Sequence, residues 1–235
     1  MHEQTVETAR AVLAIVETIL PSLNTVLDVG CGQGTWLSVA LEKGSQRVVG
    51  IDGEWVDPQV MQIPRDSLTV CDLSKPFTVE EKFDLAMSLE VAEHLPAESA
   101  AGFVSSLTKA SDFVLFSAAI PFQVGTHHVN CRWPEYWAGL FREHDYLAVD
   151  EVRPRVWNDV RCKWWYRQNI LLFVKAERQR DLRSLTRPMP ATQLSLVHPD
   201  WYYTTAKISR PYTYCWEFLP GWLQHWSESF FVNKV

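Results

Sequence analysis

Apolar positions along the chain fall into two rhythms. Val6, Ala9, Val12, Leu13, Val16, Ile19 and Leu20 recur at helical spacing over residues 4–20, and Pro21 ends the run. After it come short apolar runs of strand length: Val26–Val29, Arg47–Ile51, Leu68–Cys71, Phe83–Ser88, Phe113–Ala118, Tyr146–Val152 and Ile170–Val174. Val26–Val29 has the continuous apolar character of a buried parallel strand. The last two runs read as a hairpin-like closing pair. Thr35 to Leu41 reads as a helix, and Pro134 opens another that reaches about Phe141. Residues 53–67, with Pro58 and Pro64, read as a loop with one helical turn.

The stretch that organises these elements is Val26-Leu27-Asp28-Val29-Gly30-Cys31-Gly32-Gln33-Gly34-Thr35. A strand ends in an acid and three alternating glycines, and a helix follows. Glycine allows the backbone to turn sharply and to lie close to a ligand. Near Asp28 that ligand should carry donors or positive charge. The stretch resembles motif I of the class I methyltransferases, which bind S-adenosylmethionine (SAM). The dinucleotide fingerprint runs G-x-G-x-x-G. Here the order is G-x-G-x-G with an acid two residues before it, which favours SAM over NAD.

The resemblance implies an α/β fold: a Rossmann-like, seven-stranded, mostly parallel sheet with helices on both faces and its last strand antiparallel. SAM would lie across the carboxyl edge, against Asp28, Gly30, Cys31, Gly32 and Gly34. Asp52 closes the second strand, where a carboxylate can accept both ribose hydroxyls. In similar enzymes an acid after the third strand meets the adenine amino group, and the next backbone amide meets a ring nitrogen. Asp72 and Leu73 hold those positions here, although an Asp after a strand is also a common cap. Leu89, ending the fourth run, is grouped with the cofactor.

Glu90, Glu93 and His94 stand at i, i+3 and i+4. On a helical turn they would share one face. Two carboxylates and an imidazole make a mostly hard ligand set for a divalent ion. The order E-x-x-E-H resembles two metal-dependent methyltransferase groups, one acting on the 2′-hydroxyl of small RNAs and one on catechol-like quinone precursors. That resemblance implies Mg²⁺, Mn²⁺ or Zn²⁺ gripping neighbouring oxygens. It also implies a further metal-binding histidine in a later loop, matched by His128 or, failing that, His127. Without a metal, Glu90 would lie near the cofactor and one of these histidines would be the general base for a hydroxyl. Both readings stand on the sequence alone.

The chain has 235 residues, 47% of them apolar, enough for one α/β domain with a large core. We expect a SAM-binding domain over residues 1–176 and an aromatic extension over 177–235, linked at Pro188 and Pro190, that serves as a lid or a homodimer contact. The net charge of −6 and the absence of a Lys/Arg cluster count against a nucleic-acid partner. No run is long enough for a membrane span, no signal-peptide pattern shows beside Glu3 and Glu7, and five scattered cysteines suit a reducing compartment, so a cytoplasmic location is expected. Trp157, Trp164, Trp165 and Tyr166, interleaved with Arg153, Arg155, Arg161 and Arg167, suit either a substrate mouth or a buried interface. The reading is a SAM-dependent O-methyltransferase of a small polar molecule such as a sugar, phosphonate or antibiotic intermediate. The alternatives are a small-RNA 2′-O-methyltransferase and a non-catalytic SAM-binding protein.

Overall fold

A computed structural model of the chain describes residues 2–183 and 188–205. Helix α1 (His2–Ile19) precedes strand β1 (Thr25–Val29), helix α2 (Thr35–Glu42), β2 (Arg47–Asp52), β3 (Leu68–Val70) and β4 (Leu85–Leu89). Helix α3 (Ala100–Ala110), β5 (Phe113–Ser117), α4 (Pro134–Arg142), β6 (Tyr146–Val149), α5 (Arg153–Val156), α6 (Trp164–Asn169) and β7 (Leu171–Lys175) complete the order. The strands form one seven-stranded sheet in the order β3-β2-β1-β4-β5-β7-β6. Every pairing from β3 across to β5 is parallel, while β7 runs antiparallel to both β5 and β6.

Alternation along each strand sends neighbours to opposite faces of the sheet. Val26, Leu85, Met87 and Leu115 face a core made with α1 and α2. Leu27, Ala86, Val114 and Phe116 face the other, made with α3 and α4. Both faces being covered is what allows strands this apolar. Among the described residues no helix is long and apolar enough to cross a membrane.

The expected elements are present with small changes at their ends. The run from Tyr146 leaves the sheet at Val149, because Val152 already belongs to the turn that starts α5. Helices α3 and α6 go beyond the sequence reading, which assigned neither segment.

One compact unit spans Met1–Leu196 and a second Val197–Val235. Within the first, the Arg183 amide donates to Ile19 O at 2.8 Å and the Met189 amide to Ala148 O at 2.9 Å. The buried side chains of Leu182 and Leu194 enter the two cores. Most of the aromatic extension, including Trp216, Trp222 and Trp226, lies outside the described residues.

Arg153 ties this region together. It is fully buried, forms a two-pronged ion pair with Asp150 at 2.6 and 2.8 Å, and donates to the carbonyls of Gln168 and Leu194. Removing one partner of such a pair strands the other charge in a poorly solvated site. Arg153→Met should therefore cost about 3–5 kcal/mol in urea denaturation. The double variant with Asp150→Asn should cost less than the sum of the two singles.

Candidate active site

The glycine loop after β1 adopts the backbone that its composition permits. Gly30, Gly32 and Gly34 have φ of +84°, +52° and +77°. At Gly30 a Cβ would also stand 2.3 Å from a methyl of Val91, so both conformation and close approach require glycine. The Gly30 amide donates to Ile51 O at 2.7 Å, which pins the loop to the end of β2.

Asp52 completes that junction. One of its carboxylate oxygens accepts the Gly32 amide and the other the Gly53 amide, both at 2.7 Å. Asp28 lies behind the loop, almost fully buried. Burial, reinforced by the charge of Asp52, pushes its carboxyl up to about 8.

Two clefts meet at Gly30. One, of about 330 Å³, is lined by Asp28, Gly32, Trp36, Leu89, Lys163 and Tyr166 among others. The other, of about 480 Å³, is lined by Asp52, Trp55, Leu73, Glu90, Val91 and His94, with Thr126 and His127 at one side. Together they run along the carboxyl edge of β1, β2 and β4. A further cavity of about 340 Å³ borders α1 around Glu17, Lys43 and Arg183. Its charges are already paired, Lys43 with Glu17 and Arg183 with backbone carbonyls, and it holds none of the motif residues.

The acid and histidine cluster differs from the expected single helical face. Only Ala92–His94 form a turn, of the 3₁₀ type, and Glu90 precedes it at φ +58°. The Glu90 carboxylate accepts Gln123 Nε2 at 3.0 Å and Asn169 Nδ2 at 3.1 Å. Asn169 Nδ2 also donates to Gln123 Oε1 at 3.0 Å, so three side chains from distant segments form one buried polar knot. Burial still raises the Glu90 carboxyl above the ordinary range, against the lowering effect of those amides.

Glu93, His94 and His128 do converge, with one ligand atom from each within 4.8 Å of the others. Glu90 is not part of that group. Glu93 is buried, and neither of its oxygens makes a hydrogen bond. Burial first, then the charge of Glu90, pushes its carboxyl up to about 9. The His94 and His128 rings meet edge to face at 4.9 Å. Burial, then the neighbouring His128, lowers the His94 imidazole. His128 Nδ1 donates to Gln123 O at 3.0 Å, which fixes the tautomer and leaves Nε2 as the acceptor. Its ring occupies the space that a Cβ on Gly125 would fill. His127 is exposed and borders the larger cleft instead.

Asp72 and the arginines interleaved with tryptophan stand apart from both clefts. Asp72 lies at the surface and lines neither cleft; its carboxylate accepts the Ser74 hydroxyl and amide and pairs with Lys75. Those bonds, the Ser74 hydroxyl first, hold it down to about 2, as expected for a turn-capping acid. Leu73 does line the larger cleft. The arginines interleaved with tryptophan make internal bonds: Arg153 with Asp150, Arg155 with Glu151, Arg161 with Asp159 and Arg167 with Trp157 O. Trp55, Val91, Gln123, Lys163 and Asn169 were not anticipated, whereas Tyr166, one of the aromatics expected at a mouth or an interface, lines the smaller cleft. Trp55 alone carried a local signal, an aromatic just past Asp52-Gly53, and its indole fills the place of a Gly53 side chain.

A mostly parallel seven-stranded sheet with a glycine loop after β1, an acid closing β2 and a bipartite cleft at the carboxyl edge is the arrangement of SAM-dependent methyltransferases. Residues 1–149 match the family described as "Methyltransferase domain", and the chain belongs to that family. Among curated proteins it is similar to the ribosomal protein L11 methyltransferase of Photobacterium profundum, 29% identical over 105 residues that cover 42% of this chain and 35% of that one. The corresponding enzyme of Pelobacter propionicus is 32% identical over 102 residues, covering 38% and 32%. The match thus spans about a third of these relatives. Among solved structures, the magnesium protoporphyrin IX methyltransferase of Synechocystis PCC 6803 with bound SAH gives a TM-score of 0.53 at 21% identity, covering 74% of this chain and 83% of that chain. The methyltransferase domain of bacterial CtHen1-C gives 0.51 at 20%, covering 73% and 97%. These two likenesses concern the fold.

The raised Asp28 carboxyl has a measurable consequence. Between an unfolded value of about 4 and the folded value of about 8, the folded state holds a proton that the unfolded chain has released. This site's contribution to stability therefore falls as pH rises through that window. Asp28→Asn should melt like wild type near pH 4 in the absence of cofactor. Near pH 8.5 it should melt higher, at about 2–4 °C per kcal/mol relieved. A difference that does not change with pH would show that the carboxyl is not raised.

Proposed function

We propose that the protein transfers the methyl group of SAM to an oxygen of a small polar molecule with neighbouring hydroxyl or similar oxygens, such as a sugar, phosphonate or antibiotic intermediate. The observation that carries this reading is the convergence of Glu93, His94 and His128 beside the larger cleft, with the Glu93 oxygens buried and unpaired. A buried carboxyl without a partner is costly, and His94 of the same group lines the larger cleft beside Glu90.

The donor set suits a divalent ion. One carboxylate and two imidazoles are borderline-to-hard ligands, and the Gln123 carbonyl on His128 Nδ1 is the outer partner such a ligand ordinarily has. Bound there, a divalent ion would lower the pKa of an acceptor hydroxyl and orient a vicinal pair. Asp52 and the glycine loop hold the cofactor, Glu90 is fixed by Gln123 and Asn169, and the cleft walls keep donor and acceptor aligned. In the metal-free form of this reading, His128 Nε2 or His127 takes the hydroxyl proton. An RNA 2′-hydroxyl offers the same pair of oxygens, but the net charge of −6 supports a small acceptor.

Two measurements test the reading. Label from methyl-labelled SAM should enter an oxygen of one member of a panel of sugars, phosphonates and glycosylated antibiotics; transfer to nitrogen alone, or to a protein, would overturn it. Exhaustive EDTA treatment should cut the rate at least about tenfold, with recovery on Mg²⁺, Mn²⁺ or Zn²⁺. An unchanged rate, with no stoichiometric ion in the active protein, would leave the histidine-base form. Separately, Asp52→Ala should weaken SAM binding about tenfold or more by calorimetry, since charge-assisted bonds of about 1.5–3 kcal/mol are lost.

A further inference from the structure

Lys163 lies far outside the glycine motif, yet it lines the same cleft as Asp28, Gly32, Trp36 and Tyr166. It is the one Lys or Arg among the described residues lining that cleft. Its position is built by α1 from the other end of the chain. Its Nζ donates to the Thr5 hydroxyl at 2.7 Å, its backbone amide donates to the Thr8 hydroxyl at 3.1 Å, and its ammonium sits 5.1 Å from the centre of the Trp165 ring. The residue is only 8% exposed, and among the described residues no carboxylate lies within ion-pair distance of it. Buried cations are ordinarily paired. Burial lowers the Lys163 ammonium, with no charged partner among the described residues to offset it.

The cofactor supplies what is missing. Asp52, Trp55 and Leu73 line the cleft on one side of Gly30, the side suited to the ribose and adenine. The amino-acid end of SAM then falls on the other side. It carries one ammonium and one carboxylate. Asp28 is a buried acid with no ion-pair partner among the described residues, suited to the ammonium. We propose that Lys163, held by Thr5, binds the carboxylate of SAM, making this cleft a reader of the intact amino-acid zwitterion. Lys163 is thus a specificity-determining residue for the cofactor, contributed jointly by α1 and the segment leading into α6. The inference rests on SAM occupying the two clefts.

Calorimetry with SAM, decarboxylated SAM and 5′-methylthioadenosine tests it on the full chain. Decarboxylated SAM keeps the sulfonium and the ammonium and lacks only the carboxylate. Wild type should bind SAM roughly ten- to a hundredfold more tightly than decarboxylated SAM, the range of a charge-assisted bond. Lys163→Met should remove that preference by weakening SAM while leaving decarboxylated SAM and methylthioadenosine within about twofold of wild type. Retained binding of those two ligands also shows that the variant is folded. Lys163→Arg should keep a preference for the carboxylate. Equal wild-type affinity for SAM and decarboxylated SAM, a comparison that needs no variant, would overturn the proposal. So would a Lys163→Met protein that loses both ligands equally or loses neither. Failure of wild type to bind any of the three would instead reject the occupancy of the clefts by SAM.

Discussion

The carboxyl edge of this sheet is crowded with acids in a poorly solvated setting. Asp28, Asp52 and Glu93 are buried, and Glu90 lies beside Glu93. Like charges at short range, away from water, cannot all remain ionised without help. Asp52 accepts two backbone amides and Glu90 two side-chain amides, although burial still raises the Glu90 carboxyl. Asp28 and Glu93 do not, and their carboxyls rise to about 8 and 9. The edge is therefore electrostatically incomplete at two points. The two cationic groups of SAM, its sulfonium and its ammonium, are of the sign that this edge lacks.

The same constraint separates the four residues of the E-x-x-E-H and loop-histidine set. Spacing alone puts Glu90, Glu93 and His94 on one helical face. The chain instead leaves β4 through a left-handed residue at Glu90, and the turn that follows is only three residues long. Glu90 then faces Gln123 and Asn169, and Glu93 faces the two histidines. What the motif presents as one ligand set becomes two subsites, one satisfied by amides and one left open.

Legibility in the sequence followed the range of the interactions. The seven strands, α1, α2 and α4 were readable because apolar spacing and proline are local signals. The glycine loop was readable because φ above zero at Gly30, Gly32 and Gly34 demands that residue type. Asp72 was ambiguous because an acid after a strand fits a cap as well as a ligand; its bonds to Ser74 and Lys75 show the cap. The arginines among the tryptophans left a substrate mouth and a buried interface equally open, because nothing in composition distinguishes a paired guanidinium from a waiting one. Lys163, Gln123 and Asn169 gave no signal, since each acts through contacts between segments remote in the chain, such as the 158-residue separation from Thr5 to Lys163.

That separation has a mechanical meaning. Thr8 accepts the Lys163 amide and itself donates toward Gln4 and Arg161 carbonyls, so α1 and the segment before α6 close over the glycine loop as one piece. Tyr166 reinforces the closure by meeting Trp36 edge to face at 5.3 Å. On the opposite side, Asn169 at the end of α6 reaches Glu90. One short helix therefore touches both ends of the active-site region, its first turn at the Asp28 cleft and its last at the acid cluster. The sheet supplies the floor of the site, and α6 joins its two ends through Lys163 and Tyr166 at the Asp28 cleft and Asn169 at Glu90.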